Sequence, residues 1–405
     1  MTTARISLWG ARTITVDGES RAPLTIAAGK ICASLPEHAH RIDLRDHVIA
    51  PGLINAHEHL HVNAVPPLPI GAPFPNSYAW IAAFREHFHE PAVVAALATP
   101  KTLRLKHGAL KNLLAGTTCV VHHDPWHPVL DAADFPVALL RNYGWSYTLG
   151  WPAYGPPVRQ SFDATPADRP WMIHLAEGTD ATAQAELAQL DALGCLAANS
   201  VLVHGVGLRE RDIDRVIENG AAVVWCPTSN CNLLGRTLDP RRLQAAKRLA
   251  LGSDSRLSGA RDLLEELRVA ALGALDAREA LALVTTDAAR ILRLPQHGSL
   301  ATGHRADLLV VPDSGGDAAR SVVGIRRDRI RAVVRDGVPR IADPDFAEWF
   351  EAAGVTTVPV TLDGRPKLLA KALADPALIA LEPGLELVAP RDARVREPAL
   401  AEGHD

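Results

Sequence analysis

Asn55-Ala56-His57-Glu58-His59 closes an apolar run and sets two imidazoles two residues apart. In a strand, side chains two apart share a face. His57 and His59 therefore point together, and Glu58 points away, where a structural role suits it. Two imidazoles on one face make half of a metal site. His61 extends the alternation but falls beyond the strand.

Three later strand ends add to this pair. His174-Leu175-Ala176-Glu177 follows the apolar Met172-Ile173. His174 ends its strand, and Glu177 comes three residues on, where a carboxylate can lean over a bound ion and carry protons. His204 ends Val201-Leu202-Val203; it can ligate a metal or hydrogen-bond a developing oxyanion. Asp254 follows Leu251-Gly252-Ser253, with Gly252 allowing close approach of the backbone. Taken singly, each has a plain structural reading: a core histidine, a surface glutamate, an aspartate capping the next helix. Taken in order, His-X-His, His, His and Asp are a borderline-to-hard ligand set suited to zinc or iron.

The elements that must position these residues are short. Strands are expected at Ile54 to His59, Thr117 to His122, Trp145 to Leu149, Met172 to Leu175, Val201 to His204, Ala222 to Cys226 and Leu249 to Ser253. Helices are expected at Thr102 to Leu114, Ala181 to Leu193, Glu210 to Asn219, Arg241 to Leu249 and Arg261 to Leu272. Strand-then-helix alternation over residues 51–295 implies parallel strands with right-handed crossovers, and a (β/α)8 TIM-like barrel is the economical closure. Only about 23 residues separate Leu149 from Met172, so the fourth β/α unit should be shortened or distorted. Residues 1–50 and 296–345 read as strands of one small β-sandwich domain built from both ends. Residues 346–405 read as an extension of unknown role, with a helix near Phe346 to Ala353, a strand at Thr357 to Leu362, a helix near Lys367 to Ala374 and a polar tail.

Composition excludes several classes. The 405 residues are 47% hydrophobic and 22% charged with a net charge of −4, without the basic footprint of a nucleic-acid binder. No signal peptide or membrane-length apolar run is visible, so a soluble cytoplasmic protein is expected. The five cysteines are odd in number and scattered, which argues for buried free thiols rather than disulfides.

The same stretches resemble the amidohydrolase superfamily: Pro51 to His59, Gly116 to Val121, His174 to Glu177, Val203 to Gly205, Cys226 to Asn230, Gly252 to Ser255 and Gly298 to Val311. The His-X-X-Glu element is similar to that of the branch holding cytosine and guanine deaminases, S-adenosylhomocysteine deaminase and triazine hydrolases. The resemblance implies one divalent metal, zinc first and iron second, held by His57, His59, His174 and Asp254. It implies His204 at the attacked centre, Glu177 as proton carrier, and Asp254 also accepting the proton of water. Binuclear members bridge their metals with a carboxylated lysine or a glutamate on the middle strands. No lysine lies between Lys111 and Lys247, and no glutamate between Glu90 and Glu177, which favours one metal.

His122, His123, Trp126 and Asn230 are expected to line the mouth and bind substrate, with Trp126 or Trp151 stacking on a planar ring. No further cofactor-binding motif is found. The implied function is hydrolytic deamination of an amino-substituted nitrogen heterocycle. Hydrolysis of a cyclic or N-acyl amide is the alternative on the same fold, and a catalytically silent metal-binding protein is the alternative from another class. The expected partner is a small-molecule substrate, with at most a second copy of the chain in a homodimer, and neither nucleic acid nor membrane.

Overall fold

The computed structural model describes residues 5–34, 39–69, 71–151 and 153–388. Eight short strands carry the chemistry-bearing residues: β1 (Leu53–Glu58), β2 (Thr117–His122), β3 (Ala138–Leu139), β4 (Gly144–Trp145), β5 (Trp171–Leu175), β6 (Ser200–His204), β7 (Ala222–Trp225) and β8 (Leu249–Leu251). They form two parallel sheets, β3-β2-β1 and β4-β5-β6-β7-β8. Most of their side chains are fully buried, as expected of strands covered on both faces.

The sheets meet where β8 runs back to β1. Asp254 N–H donates to His57 O (3.1 Å) and His59 N–H to Asp254 O (3.3 Å). On the far side only residues 140–143 separate β3 from β4, and no helix intervenes. Leu140 N–H still bonds Val120 of β2, while Ser146 N–H already bonds Met172 of β5. One irregular run of chain thus fills the gap that a β/α/β unit would occupy. The fold is an α/β barrel of the TIM type, distorted at that point.

The helices used below are α1 (Ser77–His87), α2 (Lys101–Leu114), α3 (Val158–Ala164), α4 (Ala181–Ala192), α5 (Glu210–Glu218), α6 (Pro227–Leu234) and α7 (Leu263–Gly273). Capping explains several starts. Asn76 accepts from Ala79 N–H, Asp180 from Ala183 N–H, and Asp262 from Leu264 and Glu265 N–H. Helix α2 buries a face against β2 and the turn at Leu60–Val62.

Strands from both chain ends share a nine-stranded sheet. It includes Arg12–Thr15, His47–Pro51 and Leu308–Pro312, and extends through Arg365–Ala370 and Thr357–Leu362 to Leu385–Leu387. A four-stranded sheet of Ile6–Trp9, Leu24–Ala27, Lys30–Cys32 and His40–Asp43 accompanies it.

Two expectations fail here. The helix expected near Lys367 to Ala374 is instead the strand Arg365–Ala370, followed by a short 3-10 turn. Its Leu-Leu-Ala run suits a helix in isolation, but ladders to both Val338–Ala342 and Thr357–Leu362 override that propensity. The cysteines are free among the described residues, yet not all buried: Cys231 is exposed and Cys32 half-buried, since neither lies on a core-facing position. The expected polar tail lies largely outside the described residues. No helix among those described is long and apolar enough to cross a membrane.

Candidate active site

The C-terminal ends of β1, β5, β6 and β8 deliver their polar side chains to one buried point. His57 Nε2 lies 3.3 Å from His174 Nε2 and 3.7 Å from Asp254 Oδ1, and His59 Nε2 lies 3.5 Å from the same oxygen. Backbone conformation contributes: His204 (φ 77°), Asp254 (φ 56°) and Ala176 (φ 53°) are all left-handed. Non-glycine residues held there are strained, and such strain concentrates at functional sites. Gly252 lets β8 approach β1, because a Cβ there would sit 2.7 Å from His57 Cβ.

The hydrogen bonds fix which ring nitrogen faces the centre. His59 Nδ1–H donates to Asp124 Oδ2 (2.7 Å) and His174 Nδ1–H to Tyr147 O (2.8 Å). His123 Nε2–H donates to Ser146 O (3.1 Å), leaving its Nδ1 to accept from His57 Nδ1–H (3.4 Å). All three site imidazoles therefore turn an Nε2 lone pair inward. Asp254 Oδ2 accepts from Ser229 and Ser258 hydroxyls (2.6 and 2.9 Å), so Oδ1 is left for the centre. Tetrahedral ligands at bonds of about 2.0–2.1 Å lie about 3.3 Å apart, close to the spacings seen. The residues present fit one divalent ion, and histidine ligands braced by a carboxylate or carbonyl are the usual arrangement around one.

Glu177 and His204 stand beside this set. Glu177 Oε1 accepts from Trp80 Nε1–H (2.8 Å) and lies 3.8 Å from His204 Nε2. Burial raises the Glu177 carboxyl above its ordinary range, which favours the protonated form that a proton donor needs. His204 Nδ1–H donates to Asn230 Oδ1 (2.8 Å). Burial would lower the His59 imidazole, but Asp124 outweighs it and lifts the ring to about 9, so an ion at Nε2 would have to displace a proton there.

A cavity of about 260 Å³ opens over His59, Asp124 and Asp254. Its walls are aromatic: Trp80, Phe84, Phe88, Tyr147, Trp151 and Tyr154, with Arg85 stacked on Trp151.

Of the residues expected to contact substrate, Trp151 lines this cavity, while His122, His123, Trp126 and Asn230 do not. His123 braces His57 from behind. Asn230 orients His204 and is itself buried. Trp126 is exposed, where it stacks on Arg141 and donates to Asp131. His122 shares a cluster with His61 and Asp124, but Leu60 N–H donates to its Nδ1 (3.3 Å), which leaves the proton on Nε2 rather than a lone pair. Glu58 faces away from the centre and pairs with buried Lys111 (2.8 Å), Asn112 and Ser253. Trp80, Tyr147, Tyr154 and Ser258 were missed. The spacing of Trp80, Phe84 and Phe88, one helical turn apart after the capping Asn76, was the available signal.

The strand ends of this TIM-type α/β barrel thus carry a histidine–aspartate centre whose inward donors could hold a metal ion. Residues 157–340 match the model of the amidohydrolase family, and the chain is similar to deaminases and shares its fold with triazine hydrolases. It is 25% identical to a 5-methylthioadenosine/S-adenosylhomocysteine deaminase of Nitratidesulfovibrio vulgaris over 74% of this chain and 80% of the relative. Other deaminases of that name match over only 30–35% of their own length. Among solved structures, a zinc-bound adenosine deaminase from Xanthomonas campestris superposes with a TM-score of 0.65 at 21% identity, covering 87% of this chain and 97% of that one. A triazine hydrolase from Arthrobacter aurescens superposes at 0.67 and 22%, covering 83% and 94%.

Proposed function

We propose that the protein is a metal-dependent hydrolytic deaminase of an amino-substituted nitrogen heterocycle. The observation that carries this reading is the buried Glu177 carboxyl, tethered by Trp80 and set beside His204 at the edge of an inward-facing donor set. His57, His59, His174 and Asp254 would hold one divalent ion, with zinc favoured by the nitrogen-rich ligands. A bound ion supplies Lewis acidity, which makes water nucleophilic at neutral pH.

The chain's own groups do the rest. Asp254 Oδ1, with its partner oxygen occupied by two serine hydroxyls, takes the proton released as water attacks the amino-bearing carbon. Glu177 delivers its proton to the ring nitrogen, takes the proton of the added hydroxyl as the carbonyl forms, and passes it to the amino group, which departs as ammonia; the proton held by Asp254 then returns to Glu177. His204, locked by Asn230, presents Nε2 to the attacked centre. The aromatic walls flank a planar ring and keep water away from it. The deaminase names of the relatives support the same chemistry.

The test is an ammonia-release screen of zinc-loaded protein over aminopurines, aminopyrimidines, aminopterins and aminotriazines, with chelated protein and Glu177→Gln as controls. Release from at least one class, lost on chelation and reduced about 10²–10⁴-fold in Glu177→Gln, is expected. Full activity in that variant, or acid release from amides without ammonia, overturns the reading.

A further inference from the structure

Past β8 the chain turns through Ser255 to Gly259 and supplies part of the cavity wall. This turn is tight: Gly259 N–H bonds Ser255 O at 2.7 Å, and a Cβ on Gly259 would lie 2.5 Å from Ser253 O. It holds Ser258, whose hydroxyl fixes Asp254 Oδ2. The turn's own strong anchor is Arg256, whose guanidinium reaches out of the barrel.

There it meets the C-terminal segment. Glu382 closes helix α8 (Pro376–Leu381) and lies 126 residues beyond Arg256, yet it takes both arms of that guanidinium, at 2.8 and 2.7 Å. The same carboxylate accepts from His107 Nε2 of α2 (2.9 Å) and from Arg327. Glu382 is only 2% exposed, so every oxygen lone pair is spent inside the protein. The Arg256 backbone N–H meanwhile donates to Asn63 Oδ1 (3.1 Å), and Asn63 and Lys111 both bond Glu58 of β1. Arg256 is thus held at its head by residues 376–388 and at its backbone by the strand that carries His57 and His59. A planar, bidentate fork of this kind fixes orientation as well as position.

We propose that the C-terminal segment completes the site: Glu382 is a positioning residue that, through Arg256, sets the turn holding Asp254. The inference rests on the reading of Asp254 as a metal ligand. Glu382 touches neither the cavity nor the donor set, and of its partners only Arg256 belongs to the turn, so its route to Asp254 runs through that guanidinium. Removing its charge strands the Arg256 guanidinium, frees the turn, and lets Ser258 release Asp254.

The experiment measures zinc affinity of the full chain by competition with a chromophoric chelator, alongside the melting temperature. Four variants are compared: Glu382→Gln, Arg256→Lys, Leu378→Ala and Asp254→Asn. Leu378 is a buried α8 residue outside the network, so its variant reports the cost of loosening the segment alone. Glu382→Gln is expected to weaken zinc binding about 10–100-fold, the usual effect of losing a group that orients a ligand. Arg256→Lys, which keeps the charge but loses the fork, should fall between it and wild type. Leu378→Ala should lower the melting temperature with zinc affinity unchanged. If Glu382→Gln does not fold, Arg256→Lys carries the test alone. Unchanged affinity in the folded network variants, or equal loss in Leu378→Ala at equal melting temperature, overturns the proposal. Asp254→Asn separates the premise: if that variant binds zinc as wild type does, the metal-site reading itself fails.

Discussion

The Trp80 indole N–H donates to Glu177 Oε1 at 2.8 Å, so a helix on the barrel rim holds the carboxylate that the strand ends alone would leave free. Its geometry leaves the second carboxyl oxygen for the proton traffic assigned to Glu177. Trp80→Phe keeps the aromatic wall and deletes only this donor. Ammonia release should fall about tenfold in kcat, less than the roughly 10²–10⁴-fold that a general acid–base group itself contributes, with a smaller change in KM. A variant with KM raised and kcat untouched would place Trp80 in binding alone.

The donor set and the His204 beside it were legible because strand alternation and strand ends are local: His57, His59, His174, His204 and Asp254 all lie at or just past the end of an apolar run. What surrounds them was not. Asp124, the Tyr147 carbonyl and Trp80 reach the site from loops and from α1, over separations of 27 to 97 residues, and no periodicity encodes such pairings. The roles of His123 and Asn230 turn on which nitrogen of another ring they face, which spacing does not carry. The distortion between β3 and β4 was visible as missing length, but its position was not, because a two-residue strand such as Ala138–Leu139 has no pattern of its own.

Asp124 should matter more for metal than for substrate. Its Oδ2 accepts from His59 Nδ1–H at 2.7 Å and its Oδ1 from Tyr154 at 2.7 Å. Asp124→Asn weakens the first bond and lets the His59 ring choose the other tautomer, which turns an N–H toward the donor set. Zinc affinity should drop about 10–100-fold, read by chelator competition. Unchanged affinity would show that the imidazole is oriented by packing instead.

Gly252 is a packing requirement rather than a conformational one. An added Cβ would meet His57 Cβ at 2.7 Å and Val224 Cγ1 at 3.0 Å, in a place where neither strand can retreat. Gly252→Ala should destabilise the fold by about 1–3 kcal/mol, the usual cost of overfilling a packed interior, and should displace His57 enough to weaken zinc binding as well. Urea unfolding and chelator competition on the same sample check both. A variant as stable as wild type would mean that β8 and β1 stand farther apart than described.

Glu186 supplies a pH dependence separate from the metal site. It is buried on α4, accepts from Ala176 N–H (2.6 Å) and bonds the Tyr78 hydroxyl, which also faces Thr148 Oγ1 (3.2 Å). Burial pushes its carboxyl up to about 7 from an ordinary value of 4.5. A carboxyl raised in the folded state favours folding only while it is neutral. Its contribution is full below about pH 4.5 and is lost as pH rises through about 7. Glu186→Gln mimics the neutral acid: the amide oxygen can keep Ala176 N–H, and the amide nitrogen can donate to Tyr78, which then donates to Thr148. The variant should melt close to wild type at pH 5 and higher than wild type at pH 8.5, so the two melting curves separate only on the alkaline side. Equal melting temperatures at pH 8.5 would mean that Glu186 stays ionised at no cost, with its two donors offsetting the loss of water.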